Sequence, residues 1–147
     1  LLPAHSDTWS SDSPFQLNLW IPLTNTYSTN SMFMFTEKET LNLFNKISKD
    51  KKKIQIRNPN KKDFIKLKFG QLLIFNPGIL HGNVINKTKH TRASLNVRIK
   101  SIFSPQPGDE NNDRKFGTYY NLFNVSENTK FALKILKSRI LDLKKNF

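Results

Sequence analysis

No cysteine occurs among the 147 residues, so no disulfide can brace the fold and packing and hydrogen bonds must hold it. A reducing compartment is compatible with that absence, and a cytoplasmic location is the expectation. No apolar run approaches the roughly 18 to 20 residues of a membrane-spanning helix. The opening Leu1-Leu2-Pro3-Ala4 lacks the basic flank and long apolar stretch of a signal peptide. Acidic residues are also few, 11 against 24 Lys and Arg, which leaves a net charge of +13.

An excess of positive charge raises the question of nucleic acid, since phosphate contacts supply most non-specific affinity. Here 19 of the 24 basic residues are Lys, and many cluster between Lys49 and Lys68 and at the C-terminal end. That pattern reads as solvated surface rather than a nucleic-acid face. It would also draw in an anionic small-molecule substrate. A homo-oligomer stays open.

What is present suits a globular domain: 37% hydrophobic and 12% aromatic residues over a length that makes one domain, residues 1–147. The chain has no initiator Met and its best motif begins at residue 5, so part of the fold is expected upstream.

Most of the sequence reads as strands separated by turns. Residues 15–21, Phe15-Gln16-Leu17-Asn18-Leu19-Trp20-Ile21, alternate apolar and polar side chains as a half-buried strand does. Residues 31–35, 64–69, 71–75 and 93–103 are further strand candidates, punctuated by Gly70 and Asn76-Pro77-Gly78. Thr36 and Glu39 have the spacing of a capping box and predict a helix over Leu41 to Ile47. Residues 49–53 form a charged linker and 105–115 a polar loop. Phe131, Ile135, Leu136 and Ile140 make one apolar stripe of a C-terminal helix over 126–145. Many short strands with peripheral helices predict an all-β barrel or sandwich.

The chemistry-bearing pattern is His5-Ser6-Asp7, answered downstream by His81 between Gly78 and Gly82, with Arg92 eleven residues further on. Side chains at i and i+2 of an extended segment project to the same side, so His5 and Asp7 can reach one ion. Two imidazoles and one carboxylate with open positions suit non-haem Fe(II). An arginine adds a planar fork for a carboxylate. On the last strand Arg92, Ser94, Asn96 and Arg98 share one face, with apolar Ala93, Leu95, Val97 and Ile99 on the other. His90, in a polar run, reads as exposed.

These residues together resemble the Fe(II)- and 2-oxoglutarate-dependent oxygenases, most closely the phytanoyl-CoA hydroxylase-like branch, and are similar to oxygenases of bacterial carbohydrate-biosynthesis clusters. The matching segments are His5-Ser6-Asp7-Thr8-Trp9, Leu19-Trp20-Ile21-Pro22-Leu23, residues 69–75, and His81-Gly82-Asn83 through Thr91-Arg92. The resemblance implies a double-stranded β-helix, or jelly-roll barrel, lacking its N-terminal part. It implies His5, Asp7 and His81 as iron ligands, catalytic through the metal, and Arg92 as the anchor for the distal carboxylate of 2-oxoglutarate. Trp20 and Asn83 match positions lining the cosubstrate pocket, and Arg98 is the alternative anchor. Gln71 departs from the acidic residue common after that glycine.

O2 would be the oxidant, and a sugar or sugar derivative of polysaccharide biosynthesis the substrate, with Trp9 a candidate for stacking on the ring. Two competing functions are a non-catalytic cupin-like binding module and a nucleic-acid demethylase using the same cofactors.

Overall fold

The alternating segment forms the central strand β1 (Gln16–Pro22) of a three-stranded antiparallel sheet ordered β3-β1-β5, in a computed structural model describing residues 1–49, 55–105, 114, 118–121 and 125–135. Its partners are β3 (Leu73–Phe75) and β5 (Ser94–Lys100). The register sets Asn18 opposite both Phe75 and Arg98, and Trp20 opposite both Leu73 and Asn96. A second sheet pairs β2 (Met32–Met34) with β4 (His81–Asn83). The described residues make a β-rich fold in which the two sheets are not hydrogen-bonded into a closed barrel.

One core lies between the sheets: Trp20 of β1, Phe75 of β3 and Met32 of β2 are buried together, with Met34, Ile65, Leu67 and Leu73 against them. Removing side chains of this size from water stabilises by about 1.5–3 kcal/mol each. A second core lies behind the small sheet, where Phe33, Phe35 and Leu80 meet Leu43 of helix α1 (Glu37–Lys49). The capping box is present: Glu39 N–H donates to Thr36 Oγ1 at 3.2 Å, and Thr36 N–H donates to Glu39 Oε2 at 3.0 Å. Thr40, buried on the same helix, accepts the Leu80 N–H and ties α1 to the run into β4.

The polarity of the large sheet is reversed from that of an ordinary half-buried strand. Gln16, Asn18, Trp20 and Pro22 are the buried side of β1, while Leu17 is exposed. On the neighbouring strands Ile74, Leu95, Val97 and Ile99 are exposed as well. The polar row therefore faces inward, toward β2 and β4.

Other expectations are shortened. Residues 64–69 form no strand, because Ile65 N–H donates to Met32 O and Leu67 N–H to Thr26 O, so the segment divides its bonds between two partners. Gly70 takes a positive φ of 87°, and pairing resumes only at Leu73. β5 stops at Lys100, where Ser101 opens a turn closed by the Ser104 N–H. Of the predicted C-terminal helix, residues 127–135 are helical. Residues 136–145, most of the 105–115 loop and all but one residue of the 49–53 linker lie outside the described residues. Among the described residues no helix is long and apolar enough to cross a membrane.

Candidate functional site

His5 reaches the site through the backbone. It is bridged to His81 by two reciprocal hydrogen bonds, His5 N–H to His81 O and His81 N–H to His5 O, both 2.9 Å. Asp7 does not continue the extended segment; it begins a 3-10 turn, Asp7–Ser10, after its own N–H has donated to Pro77 O. The expectation that His5 and Asp7 act from one extended run thus needs correction. The chain bends at Asp7, and that bend turns the carboxylate toward the histidines. His81 is the first residue of β4.

The three ligand atoms converge. His5 Nε2 lies 3.4 Å and His81 Nε2 3.6 Å from Asp7 Oδ1, and one atom from each residue falls within 4.8 Å of the others. Two ligands at about 2.1 Å from one ion and at right angles would sit roughly 3 Å apart, so a modest contraction completes the sphere. The tautomers fit too. His5 Nδ1 and His81 Nδ1 each lie 2.8 Å from a carbonyl, of Pro3 and Ile79 respectively. A carbonyl only accepts, so each Nδ1 carries the hydrogen and each Nε2 offers a lone pair to the shared space. This cluster could hold a metal ion.

The electrostatics agree for His81 and Asp7 and favour a charged His5 beside the carboxylate. The bond to Asp7 raises the pKa of His5, whereas burial lowers that of His81 and favours its neutral, ligating form. Burial pushes the Asp7 carboxyl up, but His5, His81 and Asn18 outweigh it and hold the group below its usual value. Asp7 is thus held ionised, with the neutral form of His81 favoured beside it.

The cavity around these atoms has a volume of about 190 Å³ and is lined by His5, Asp7, Trp20, His81, Asn83 and Arg92 among others, with Ser94, Asn96 and Arg98 from the polar row of β5. Arg92 donates from Nη1 to Asn83 Oδ1 at 2.9 Å and lies 5.7 Å from the Trp20 ring centre. Among the described residues no carboxylate pairs with it. Arg98 differs: its Nε donates to Asp12 Oδ2 at 2.9 Å, and its Nη2 is 3.6 Å from Asp7 Oδ2. Trp9 stands outside the cavity lining, edge-on to Phe44 of α1 at 5.8 Å. His90 is exposed against Tyr27, as expected of a surface residue.

Four residues at the site carried no role in the sequence reading: Asp12, Gln16, Asn18 and Tyr120. Gln16 and Asn18 share a face of β1 with Trp20 just as Ser94 and Asn96 share a face of β5 with Arg98, but the periodicity alone does not say which face of β1 is buried.

The chain is 25% identical over 124 residues to the streptomycin biosynthesis protein StrG of Streptomyces griseus, a match covering 84% of this chain and 47% of that protein. The chain thus spans about half the length of the curated relative it matches. No family model and no solved structure matches it.

Proposed function

We propose that this chain carries the metal-binding part of an Fe(II)- and 2-oxoglutarate-dependent dioxygenase, built on a double-stranded β-helix and acting on a small molecule, with a sugar or sugar derivative as the favoured class. The observation that carries this reading is a pair of facts about one cavity. Two tautomer-locked histidines and an ionised carboxylate face a common point, and an arginine that has no acid partner among the described residues shares the same walls.

His5, Asp7 and His81 would hold the ion. Arg92 would take the far carboxylate of the cosubstrate, its fork steadied by Asn83 and lying over the Trp20 ring. Burial already disfavours the Arg92 charge, and an incoming carboxylate would supply a direct counter-charge. Arg98 is a weaker candidate for that anchor, because Asp12 already occupies it. A volume near 190 Å³ suits a five-carbon diacid better than a large ligand. When bound, the metal with 2-oxoglutarate and O2 supplies the oxidising power that these side chains lack. Similarity to a protein of streptomycin biosynthesis supports a small-molecule rather than a nucleic-acid substrate.

Anaerobic addition of Fe(II) and then 2-oxoglutarate should give a weak visible charge-transfer band that His5→Ala abolishes, and O2 should then yield succinate. Metal binding with neither band nor succinate would favour the cupin-like binding module instead.

A further inference from the structure

The Asp7 carboxylate has two oxygens in different surroundings. Oδ1 faces both histidine Nε2 atoms, while Oδ2 accepts a hydrogen bond from Asn18 Nδ2 at 2.5 Å. Behind Asn18 the bonds continue: Gln16 Nε2 donates to Asn18 Oδ1 at 2.8 Å, and the Tyr120 hydroxyl donates to Gln16 Oε1. We propose that Tyr120, Gln16 and Asn18 form a positioning relay that fixes Asp7 so that Oδ1 alone is offered to the metal. The inference rests on the metal-centre reading above and adds residues to it.

The direction of the relay follows from its two acidic ends. Gln16 Nε2 also donates to Asp12 Oδ2 at 3.2 Å. Ionised carboxylates only accept, so Asp12 and Asp7 oblige the amides of Gln16 and Asn18 to point their nitrogens toward them. Flipping Gln16 would set its oxygen against Asp12 Oδ2 and Asn18 Oδ1, and flipping Asn18 would set oxygen against Asp7 Oδ2 and nitrogen against Gln16 Nε2. One acceptor, Gln16 Oε1, is then left for a donor from outside the strand, and Tyr120 supplies it from 104 residues away. Burial and the nearby Asp12 raise the Tyr120 pKa, which keeps the phenol protonated as that donor.

Exposures of 0% for Asn18, 1% for Gln16 and 6% for Tyr120 mean that solvent does not reach in to replace a missing member. With Oδ2 engaged, rotation of the carboxylate into a two-oxygen grip on the ion would break the Asn18 bond. The relay therefore holds Asp7 to one-point ligation and preserves open positions on the metal.

Co(II) is the probe: its affinity and ligand-field spectrum are measured for the wild-type chain, Tyr120→Phe, Gln16→Leu and the double variant, with thermal melting to confirm folding. Loss of partners that orient a ligand weakens metal binding about 10- to 100-fold, and a loss in that range is expected for Gln16→Leu, with a smaller loss and an altered spectrum for Tyr120→Phe. Because Tyr120 acts only through Gln16, adding Tyr120→Phe to Gln16→Leu should change nothing further. Wild-type affinity and spectrum in both single variants would overturn the relay while leaving the metal centre standing, and so would additive losses in the double variant. A wild-type chain that binds no Co(II) would overturn both. If Tyr120→Phe does not fold, Gln16→Leu reads the same link from β1.

Discussion

His5 and His81 form a reciprocal backbone pair, each donating its N–H to the other's carbonyl at 2.9 Å, with ring centres 4.5 Å apart. A ladder contact, rather than side-chain reach alone, sets the spacing of two proposed ligands. Residues so paired in an antiparallel bridge project their side chains to one side of the sheet.

Gly82 allows this pairing. A Cβ there would lie 2.7 Å from Pro3 O, 2.8 Å from Phe33 Cζ and 2.9 Å from Leu2 O. Two of these are backbone atoms of the segment that carries His5, so Gly82→Ala must push that segment off β4. Overpacking of this kind costs about 1–3 kcal/mol. The expected outcome is a lower melting temperature together with weaker Co(II) binding; a variant that melts and binds as wild type would show that the 2–5 segment does not need close approach.

Metal binding should stabilise the fold by mass action. At a free concentration about 100 times its Kd, an ion that binds only the folded chain contributes about 2.7 kcal/mol. A thermal shift with Co(II) or Mn(II) is therefore expected, reversed by a chelator and lost in His81→Ala. A shift that survives His81→Ala would locate the ion elsewhere.

Arg92→Lys tests the proposed carboxylate anchor. Lysine keeps the charge but loses the fork and the flat surface beside Trp20. The Kd for 2-oxoglutarate, followed by the charge-transfer band of the Fe(II) form, should rise about tenfold or more, which corresponds to about 1.4 kcal/mol. Metal affinity without cosubstrate should not move. Equal losses in both would mean that Arg92 supports the fold rather than the ligand.

The meeting of His5, Asp7, His81 and Arg92 around one cavity was legible because these residue types are restrictive. The inward polar row of β5 was legible from its alternation, since Arg92, Ser94, Asn96 and Arg98 leave Leu95, Val97 and Ile99 on the opposite face. The same pattern on β1 was readable only as a half-buried strand, and which side was buried was not. Leu17 argues for one side and Trp20 for the other; the fold buries the side that carries Gln16, Asn18 and Trp20. Tyr120 left no local trace at all. Its partner is 104 residues away, and no periodicity connects the 118–121 segment to the start of β1. The loss of the 64–69 strand was equally hidden, because it depends on Met32 and Thr26 competing for one short stretch.

Acid should loosen the back of the small sheet through Arg57, which donates to Glu39 Oε1 at 2.7 Å and to Asp63 Oδ2 at 2.6 Å while lying over the Phe35 ring. Arg57, then the Thr36 amide and hydroxyl, pull the Glu39 carboxyl down to about 2, and Arg57 also lowers Asp63. A carboxyl depressed in the folded state binds its proton less readily there than in the unfolded chain. Its stabilisation is therefore complete above the ordinary values of 4.5 and 3.8, and it is lost as pH falls through the lowered ones. Glu39 and Arg57 are each 37% exposed, so solvent screening limits that pair to about 1 kcal/mol or less. Asp63, buried beside the same guanidinium, adds to the effect. Melting temperature should fall steeply between pH 4.5 and about 2, and Arg57→Gln should start lower at pH 7 and fall less over the same range. Parallel pH profiles for the two proteins would remove Arg57 as the source of the acid sensitivity.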